Sequence, residues 1–454
     1  RGQSRVSLMS RNKGLKIARA WLGPELFILI GDVHMVTTVL NHNLKKAKIY
    51  HVLDEVLHRG IFVNPDIPKW KASRKLIVNV FHFSVLKSYI RIFHSEAAIL
   101  VNKWRHLADG RTSFNPEEDI NLATFDMVMM STLGINPRAQ ENPSHEFLVN
   151  FDSAFQIGMS RMLNPILHSD LVCRLIGLKA RQKAHVQVLI DEAQRTLDRI
   201  RERQKMNREK ENAEIKDPSS HLMDPEAKSF AELIMENADY VESDDEELIS
   251  QIITIIGAGQ DTTKTENMVV LIMLAIHADV QDKVLEEIDR VLGRNTTHCP
   301  SYEDLCQLEY LECVIKETLR LFPAAPLIGR HIDEDFILDG LTIPAGVTVL
   351  ISIYALHRDP KYYPSPGRFD PSRWQTPDAA QRPPNAFMPF SCGPRNCVGG
   401  KYAMLQMKTV LSTLLRHYRV LPGAECRSMQ DVKFEIRITL KMNEKCAIRL
   451  QRRM

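Results

Sequence analysis

Cys397 is the residue of this chain whose surroundings most favour chemistry. It lies between Gly393 and Gly399, two residues after Arg395, and an amphipathic helix is predicted to begin almost directly after it. Free N–H groups at a helix N-terminus carry partial positive charge, which favours a thiolate over a thiol. A thiolate here would be a nucleophile or a metal ligand. Pairing with Cys392 around a metal is the alternative, although no histidine lies nearby to complete a zinc site.

A second candidate group lies in the middle of a long helix predicted over residues 246–276. Gly257 and Gly259 flank Ala258 there, and Asp261 and Thr262 follow. Each glycine weakens a helix by about 1 kcal/mol relative to alanine, and Asp and Thr compete for backbone hydrogen bonds. The pattern predicts either a bulge or kink at a functional site, or a close helix crossing over small residues. The residues favour neither interpretation over the other.

Two further pairs have helical spacing. Glu317 and Arg320 lie one turn apart in a helix that Pro323 ends, with apolar residues on both sides that favour a buried ion pair. Trp70 and Arg74 share one face of a helix that begins near a proline. Taken alone, that pair indicates an amphipathic helix with a half-buried Trp and a solvated Arg.

The elements that position these groups are mostly helical. A strand hairpin is predicted within residues 17–32 and a helix over 33–40, and helices dominate 90–203. Residues 203–230 are predicted as an exposed connection that can include frayed helix. The Asp339-Gly340 pair between two short apolar runs predicts a hairpin at 336–343, and the tail at 429–450 could close a small sheet. A proline-rich stretch, 359–389, leads directly to the cysteine loop. The sequence therefore predicts a mainly α fold with a smaller β-rich part.

Composition excludes several function classes. Among 454 residues, 44% are hydrophobic and 25% charged, as in a globular protein with a large core. The 59 basic and 56 acidic residues give a net charge of +3, too even to indicate nucleic acid as a partner. Eight cysteines without a C-x-x-C pair do not indicate a disulfide scaffold or a zinc ribbon, and a reducing compartment is expected. No stretch reaches the roughly 18 uninterrupted apolar residues of a spanning helix.

Five motifs in order resemble one family. The run from Phe390 to Gly399 matches F-x-x-G-x-R-x-C-x-G, the haem-binding signature of the cytochrome P-450 superfamily. The other four also resemble motifs of that family, although tryptophan replaces the usual final phenylalanine of the last: Trp70-x-x-x-Arg74, Ala258-Gly259-Gln260-Asp261-Thr262-Thr263, Glu317-x-x-Arg320 and Pro371-x-Arg373-Trp374. The chain also resembles the microsomal family-four group, including its insect members. The resemblance covers residues from about 20 to the end.

The resemblance implies a fold and a cofactor. It implies one cytochrome P-450 domain over residues 1–454, without an N-terminal membrane anchor in this chain. Haem b would lie between the long central helix and the helix that follows the cysteine loop. Cys397 would be the axial ligand of the iron, Phe390 would shield its sulfur, and Gly393 and Gly399 would allow a tight loop. The residues implied to contact the porphyrin or its two propionates are Trp70, Arg74, Ala258, Arg330 and Arg395.

The same resemblance implies roles in catalysis and stability. Asp261 and Thr262 would form the acid–alcohol pair that relays protons to dioxygen. Glu317, Arg320 and Arg373 would form a buried ion triad that holds the cysteine loop, with a structural role. Many family-four members carry a glutamate that bonds covalently to haem where this chain has Ala258. A covalent haem link is therefore not expected.

The implied activity is that of a monooxygenase. One atom of O2 would enter a small apolar substrate, with electrons from NADPH through an NADPH–cytochrome reductase and with cytochrome b5 as an optional second partner. The implied location is the cytoplasmic face of the endoplasmic reticulum membrane, through a segment absent from this chain; nucleic acid is not an expected partner. The alternatives are a haem-thiolate isomerase or dehydratase acting on peroxides, and a non-enzymatic haem or gas sensor.

Overall fold

The computed structural model describes residues 16–22, 25–212, 228–237, 245–293 and 295–453. The chain divides into two compact units. Unit 1 comprises Arg1–Lys48, Phe93–Asn121 and Asp261–Met454, and unit 2 comprises Ile49–Ile92 and Leu122–Gln260. The division falls inside the long central helix, between Gln260 and Asp261.

Helices account for most of the described chain, as expected for a mainly α fold. The seventeen α-helices of the described residues are α1 (Val33–His42), α2 (Asp54–Leu57), α3 (Ile67–Val80), α4 (Phe83–Ser88), α5 (Ile90–Trp104), α6 (Glu117–Leu133), α7 (Glu146–Leu163), α8 (Asp170–Leu175), α9 (Leu178–Asn212), α10 (Phe230–Met235), α11 (Asp245–Ile276), α12 (Ala278–Leu292), α13 (Tyr302–Gln307), α14 (Glu309–Leu321), α15 (Ile353–Leu356), α16 (Pro377–Gln381) and α17 (Gly400–His417).

The strands are short and belong to unit 1. They are β1 (Ile17–Leu22), β2 (Glu25–Ile30), β3 (Leu327–His331), β4 (Phe336–Leu338), β5 (Leu341–Ile343), β6 (Thr348–Ser352), β7 (Tyr418–Pro422), β8 (Phe434–Ile436), β9 (Leu440–Met442) and β10 (Ile448–Arg452). The predicted N-terminal hairpin is confirmed, because β1 pairs antiparallel with β2, and so is the predicted helix that follows it.

One four-stranded sheet organises unit 1, in the order β1-β2-β6-β3. β2 runs parallel to β6, and β3 runs antiparallel to β6, so Arg330 on β3 pairs with Val349. The predicted hairpin at 336–343 is also confirmed. Asp339 and Gly340 both have positive φ, 51° and 77°, which is the backbone that a two-residue hairpin turn requires. Apolar side chains of the sheet, of α1 and of the segment before the cysteine loop form one buried cluster.

Unit 2 consists of helices in its described residues. The predicted exposed connection over 203–230, which could include frayed helix, begins as helix, because α9 continues to Asn212. Polar side chains of α9 pair at helical spacing on its exposed face; for example, the Gln194 amide donates to the Asp198 carboxylate. Residues 213–227 of that prediction lie outside the described residues, as do residues 1–15 and the Gly23-Pro24 pair.

Among the described helices, no single one is long and apolar enough to cross a membrane. One bent pair, Ile67–Val80 with Phe83–Trp104, meets the length and composition requirement together, with an angle of 52° between its halves.

Candidate functional site

The cysteine loop is closed by its own backbone. The N–H of Cys397 donates to the carbonyl of Phe390 at 2.9 Å, and the N–H of Asn396 donates to the carbonyl of Gly393 at 3.1 Å. Gly393 has φ +72°, and a Cβ there would lie 2.6 Å from the backbone oxygen of Leu40. Only glycine satisfies both conditions. Gly399 is different, because its φ is −86° and a Cβ would lie 3.9 Å from the Cys397 sulfur, an ordinary contact.

The two loop cysteines lie in different environments. Cys397 is exposed and lies three residues before Gly400, the first residue of α17, whereas Cys392 is buried in the core of unit 1. Burial raises the pKa of the Cys392 thiol, and the nearby Arg330 offsets that only in part. Among the described residues, no three His, Cys, Asp or Glu side chains are grouped as metal ligands. A zinc site built on both cysteines therefore lacks a ligand set, and Cys397 is the candidate ligand of an axial position.

Three cations lie close to the cysteine loop. Arg330 is only 1% exposed, Arg395 is also buried, and Lys46 forms an isolated antiparallel bridge with Arg330. The pKa of Lys46 lies well below its usual range because burial, Arg330 and Arg395 all disfavour its charge, while Cys397 acts in the opposite direction. Basic groups packed this closely repel one another when charged, and a bound anion would offset that repulsion. The two propionates of haem would supply such an anion, so the donor set fits the group that the sequence implies.

Lys46 is a residue that the sequence prediction missed. It follows α1 in a stretch, Asn43 to Lys48, that carries no motif. The positive Lys45-Lys46 pair was visible, but its position beside Arg330 depends on a backbone bridge to a residue 284 positions later in the chain.

Trp70 and Arg74 lie on α3 in unit 2. Asp66 caps this helix by accepting a hydrogen bond from the Lys69 N–H, and a proline occupies its first turn, as predicted. Trp70 is buried rather than half-buried, and the Arg74 guanidinium lies over its ring at 5.8 Å. Ser73, between them in the sequence, donates to the carboxylate of Glu247. This hydrogen bond joins α3 to the N-terminal part of α11, within unit 2.

The small residues of α11 are explained by close helix packing. A Cβ on Gly257 would lie 2.0 Å from the Phe151 ring of α7, and one on Gly259 would lie 2.8 Å from Val128 of α6. The helix is α-helical throughout, so the alternative interpretation of a bulge is wrong. Without a Cβ, the two glycines let α6 and α7 approach α11 closely. They lower the stability of the helix without breaking it. Ala258, between them, is exposed and presents a small side chain on the open face of α11.

Asp261 is held by an ion cluster in unit 1. Its carboxylate accepts hydrogen bonds from Lys264 at 2.9 Å, from Lys441 at 3.3 Å and from the Thr439 hydroxyl at 2.7 Å. Burial alone would raise the pKa of Asp261, but Lys264 and Lys441 outweigh it and hold this pKa well below its usual range. Asp261 is therefore ionised at neutral pH. Thr262, the next residue, is half-buried.

Of the cluster around Asp261, the sequence prediction missed Lys264, Lys441 and Thr439. Lys264 was detectable, because an Asp and a Lys three residues apart share a helix face. The other two come from the β8–β9 hairpin and have no sequence signal at Asp261. Leu440 of this hairpin also donates its backbone N–H to the Ala324 carbonyl, in the turn that follows α14.

Glu317, Arg320 and Arg373 form one buried cluster. Glu317 accepts from Arg320 Nε and Arg373 Nε, each at 2.9 Å, and from Trp374 Nε1 at 3.1 Å. Arg320 also donates to the backbone oxygens of His357 and Pro366. The cluster thus holds the proline-rich stretch against α14.

His357 connects this stretch to the cysteine loop. Its Nε2 accepts the backbone N–H of Met388 at 2.9 Å, two residues before Phe390. Burial, reinforced by Arg358 and Arg320, lowers the pKa of His357 to about 3, so the ring is neutral and Nε2 stays an acceptor. The sequence prediction did not include His357, since a single histidine between a strand and a proline-rich stretch carries no pattern.

Known proteins of one family are similar to this chain over nearly its whole length. The family model described as Cytochrome P450 matches residues 4–443. Cytochrome P450 4d2 of Drosophila melanogaster is 32% identical over 424 residues, which cover 92% of this chain and 84% of that protein. Cytochrome P450 4V2 of Homo sapiens is 30% identical over 456 residues, which cover 99% of this chain and 85% of that protein.

The similar proteins also include Cytochrome P450 4d1 of Drosophila melanogaster, 31% identical over 89% of this chain and 80% of its own length. Their family-four names agree with the group that the sequence resembles. The cysteine loop, the buried cations and the family match together identify the cofactor as haem and the oxidant as O2. The chain belongs to the cytochrome P450 family, in its family-four group, and is a haem monooxygenase.

Proposed function

We propose that this protein inserts one atom of O2 into a small apolar organic substrate, using electrons that NADPH delivers through a partner flavoprotein reductase. Cytochrome b5 is an optional second electron donor. The observation that carries the proposal is the exposed Cys397 in a self-closed loop beside three cations, Lys46, Arg330 and Arg395. This set provides an axial thiolate and a site for two carboxylates within unit 1.

Each group of residues has its own part in binding. Cys397 supplies the thiolate, and Phe390, packed on Gly400, covers the start of α17 beside it. Arg330, Arg395 and Lys46 of unit 1 hold propionates. Contacts of Trp70 and Arg74 with haem are proposed from the family resemblance alone. The small, exposed side chain of Ala258 leaves room beside α11, and it offers no carboxyl for a covalent link to haem. When bound, haem supplies an iron at which dioxygen is reduced and split.

Thr262 is the proposed proton-transferring hydroxyl. A relay needs a hydroxyl near dioxygen and a titratable group behind it, and Thr262 follows the ionised Asp261 directly on α11. Glu317, Arg320 and Arg373 are proposed as structural, since all three are buried and bound to one another and to the backbone.

Association with the cytoplasmic face of the endoplasmic reticulum membrane is proposed from the resemblance. An apolar surface of unit 2 supports it. Leu171 and Leu175 lie four residues apart on α8, and with the neighbouring Ile166 and Ile176 they are all more than half exposed. Exposed aliphatic side chains grouped on one short segment can insert into the interfacial layer of a bilayer.

Turnover with reductase tests the proposal. The purified protein, reconstituted with haem, an NADPH–cytochrome reductase and lipid vesicles, is assayed for NADPH oxidation and oxygen uptake with a panel of fatty acids, terpenoids and aromatic hydrocarbons. NADPH-dependent hydroxylated product supports the monooxygenase. Conversion of a lipid hydroperoxide without NADPH or O2, and no NADPH-dependent product, would instead favour the isomerase or dehydratase alternative.

A further inference from the structure

Glu266 is a buried carboxyl on α11 to which none of the roles above has been assigned. Its side chain is 3% exposed, and neither carboxyl oxygen has a hydrogen-bond partner among the described residues. The backbone N–H of Ala324 lies near enough to act on the carboxyl electrostatically, without the geometry of a hydrogen bond. A carboxylate without an ion-pair partner is seldom buried to this extent.

The position of Glu266 places it behind Thr262. The two residues are four apart on a continuous α-helix, so their side chains share one face. Side chains of a helix tilt toward its N-terminus, which directs the Glu266 carboxyl over the turn that holds Thr262 and Thr263. All three residues belong to unit 1.

The protonation state of Glu266 follows from its buried surroundings. Burial raises the pKa of Glu266 well above its usual range, and the Ala324 N–H offsets this only in part. A neutral carboxyl has one O–H donor, which an ionised carboxylate lacks. Glu266 therefore holds a proton at neutral pH.

Asp261, in contrast to Glu266, is ionised at neutral pH. Two lysines and a threonine hydroxyl occupy its oxygens, and its proton is gone at neutral pH. An ionised carboxylate in a complete set of partners can position a helix or a hairpin, but it has no proton to give. The two carboxyls on this helix are thus divided into one that is ionised and bound and one that is neutral and buried.

We propose that Glu266, acting through Thr262, is the proton-holding residue of this chain, and that Asp261 instead anchors the β8–β9 hairpin to the central helix. The Glu266 O–H gives its proton to Thr262 Oγ1, directly or through one water, as the proton of the Thr262 hydroxyl moves on toward dioxygen. Bulk water returns a proton to Glu266 between turnovers, and all electrons come from NADPH. This inference rests on the proposed monooxygenase function.

Infrared spectroscopy tests the proton without turnover. At about pH 8 ordinary carboxyls are ionised, so the carbonyl band of a protonated carboxyl is restricted to buried groups. The difference spectrum between the wild-type holoenzyme and Glu266→Gln should contain this band. The matched control is Glu312→Gln, because Lys316 and Lys408 donate to the half-buried carboxylate of Glu312 and, outweighing its burial, hold its pKa below the usual range. Its difference spectrum should lack the band.

Turnover with reductase tests the relay. The fraction of NADPH electrons recovered as hydrogen peroxide, rather than as water or product, is measured with and without dodecanoic acid as a probe. Glu266→Gln keeps the shape and neutrality of the side chain but removes the carboxylic acid proton. We therefore expect the electron flux into water plus product to fall at least about tenfold. General acid catalysis typically contributes about 100-fold or more, so this loss is a part of that contribution. The same variant should have a changed solvent deuterium isotope effect, and Glu266→Asp should restore part of the flux.

The outcomes of the two experiments distinguish the Glu266 relay from the monooxygenase function on which it rests. A wild-type spectrum without the Glu266 carbonyl band overturns the inference, and so does a present band with unchanged peroxide yield in Glu266→Gln. Partial rescue by Glu266→Asp with no rescue by Gln supports it and excludes a packing effect. If the wild-type protein oxidises no NADPH while the band is present, the proposed function itself fails, and the relay fails with it.

Discussion

The hydroxyl of Thr439 donates a 2.7 Å hydrogen bond to the carboxylate of Asp261, joining the tip of the β8–β9 hairpin to the middle of the central helix. These residues are 178 positions apart in the chain. The contact gives Asp261 a structural task in place of the relay role that its motif implies. It also means that the last strands of the chain and the acid–alcohol pair are positioned together.

Loss of this contact should weaken the fold measurably. Thr439→Val removes a hydrogen bond to a charged, half-buried acceptor, and we expect a loss of about 1.5–3 kcal/mol in the free energy of unfolding. Urea denaturation followed by circular dichroism measures it. The matched control is Thr112→Val, which removes an exposed hydrogen bond to Asp109 and should cost within about 0.5 kcal/mol. Equal losses in the two variants would contradict the role of Thr439.

The two glycines of the cysteine loop, Gly393 and Gly399, should differ sharply in their tolerance of alanine. Gly393→Ala places a Cβ against the Leu40 oxygen at a positive φ, so we expect poor folding and little bound haem, with at least about 1–2 kcal/mol of backbone strain. Gly399→Ala has an ordinary φ and open space, and should bind haem normally. Haem content and melting temperature check both. A Gly399→Ala variant as damaged as Gly393→Ala would show that the loop requires glycine for another reason.

The close packing of α7 on α11 predicts a compensating pair. Gly257→Ala forces a methyl into the Phe151 ring, and overpacking of this kind costs about 1–3 kcal/mol. Phe151→Leu should relieve part of that cost, so the double variant should be more stable than the sum of the single effects indicates. Urea unfolding of all four proteins measures the coupling. Strict additivity would argue against direct contact between Gly257 and Phe151.

His357 should make stability depend on pH. Its folded-state pKa is about 3, below the ordinary value of 6.5, so between these values the unfolded chain binds a proton that the folded protein excludes. Stability should therefore decrease as pH falls from about 6.5 toward 3, by up to about 1.4 kcal/mol per pH unit from this residue. His357→Gln should reduce the difference in unfolding free energy between about pH 7 and pH 5.

The control for His357 is His34→Gln, at an exposed histidine in the first turn of α1. It should leave that pH difference as it is in the wild type. An unchanged difference in His357→Gln would mean that His357 is protonated in the folded protein, and would remove the argument that its Nε2 accepts from Met388.

Local patterns were sufficient to predict many elements and the cysteine loop. Helix periodicity, the Asp339-Gly340 turn and the proline near the start of α3 act over a few residues, and the structure contains each of them. The residues of the loop were likewise recognisable, because glycine, arginine and cysteine stand at fixed spacing within ten positions.

Contacts between distant parts of the chain were not predictable in the same way. The glycines of α11 allowed two interpretations, and only the ring of Phe151, more than a hundred residues earlier, decides between them. Lys46 meets Arg330 through a backbone bridge, and the Lys441 side chain donates to Asp261 from the β8–β9 hairpin. No short motif encodes either contact. Its lysine partners decide the charge of Asp261, and burial decides that of Glu266. The sequence alone does not show which lysines lie near Asp261 or which side of the helix is covered.

The axial thiolate is the central claim, and the carbon monoxide difference spectrum of the reduced protein tests it most directly. Wild-type protein should show the red-shifted Soret band typical of a thiolate-ligated haem iron. Cys397→Ala should lose that band, whereas Cys392→Ala should retain it, because Cys392 is a buried thiol of the core. A Cys397→Ala protein that keeps the band, or a folded wild-type protein that takes up no haem, would contradict the account.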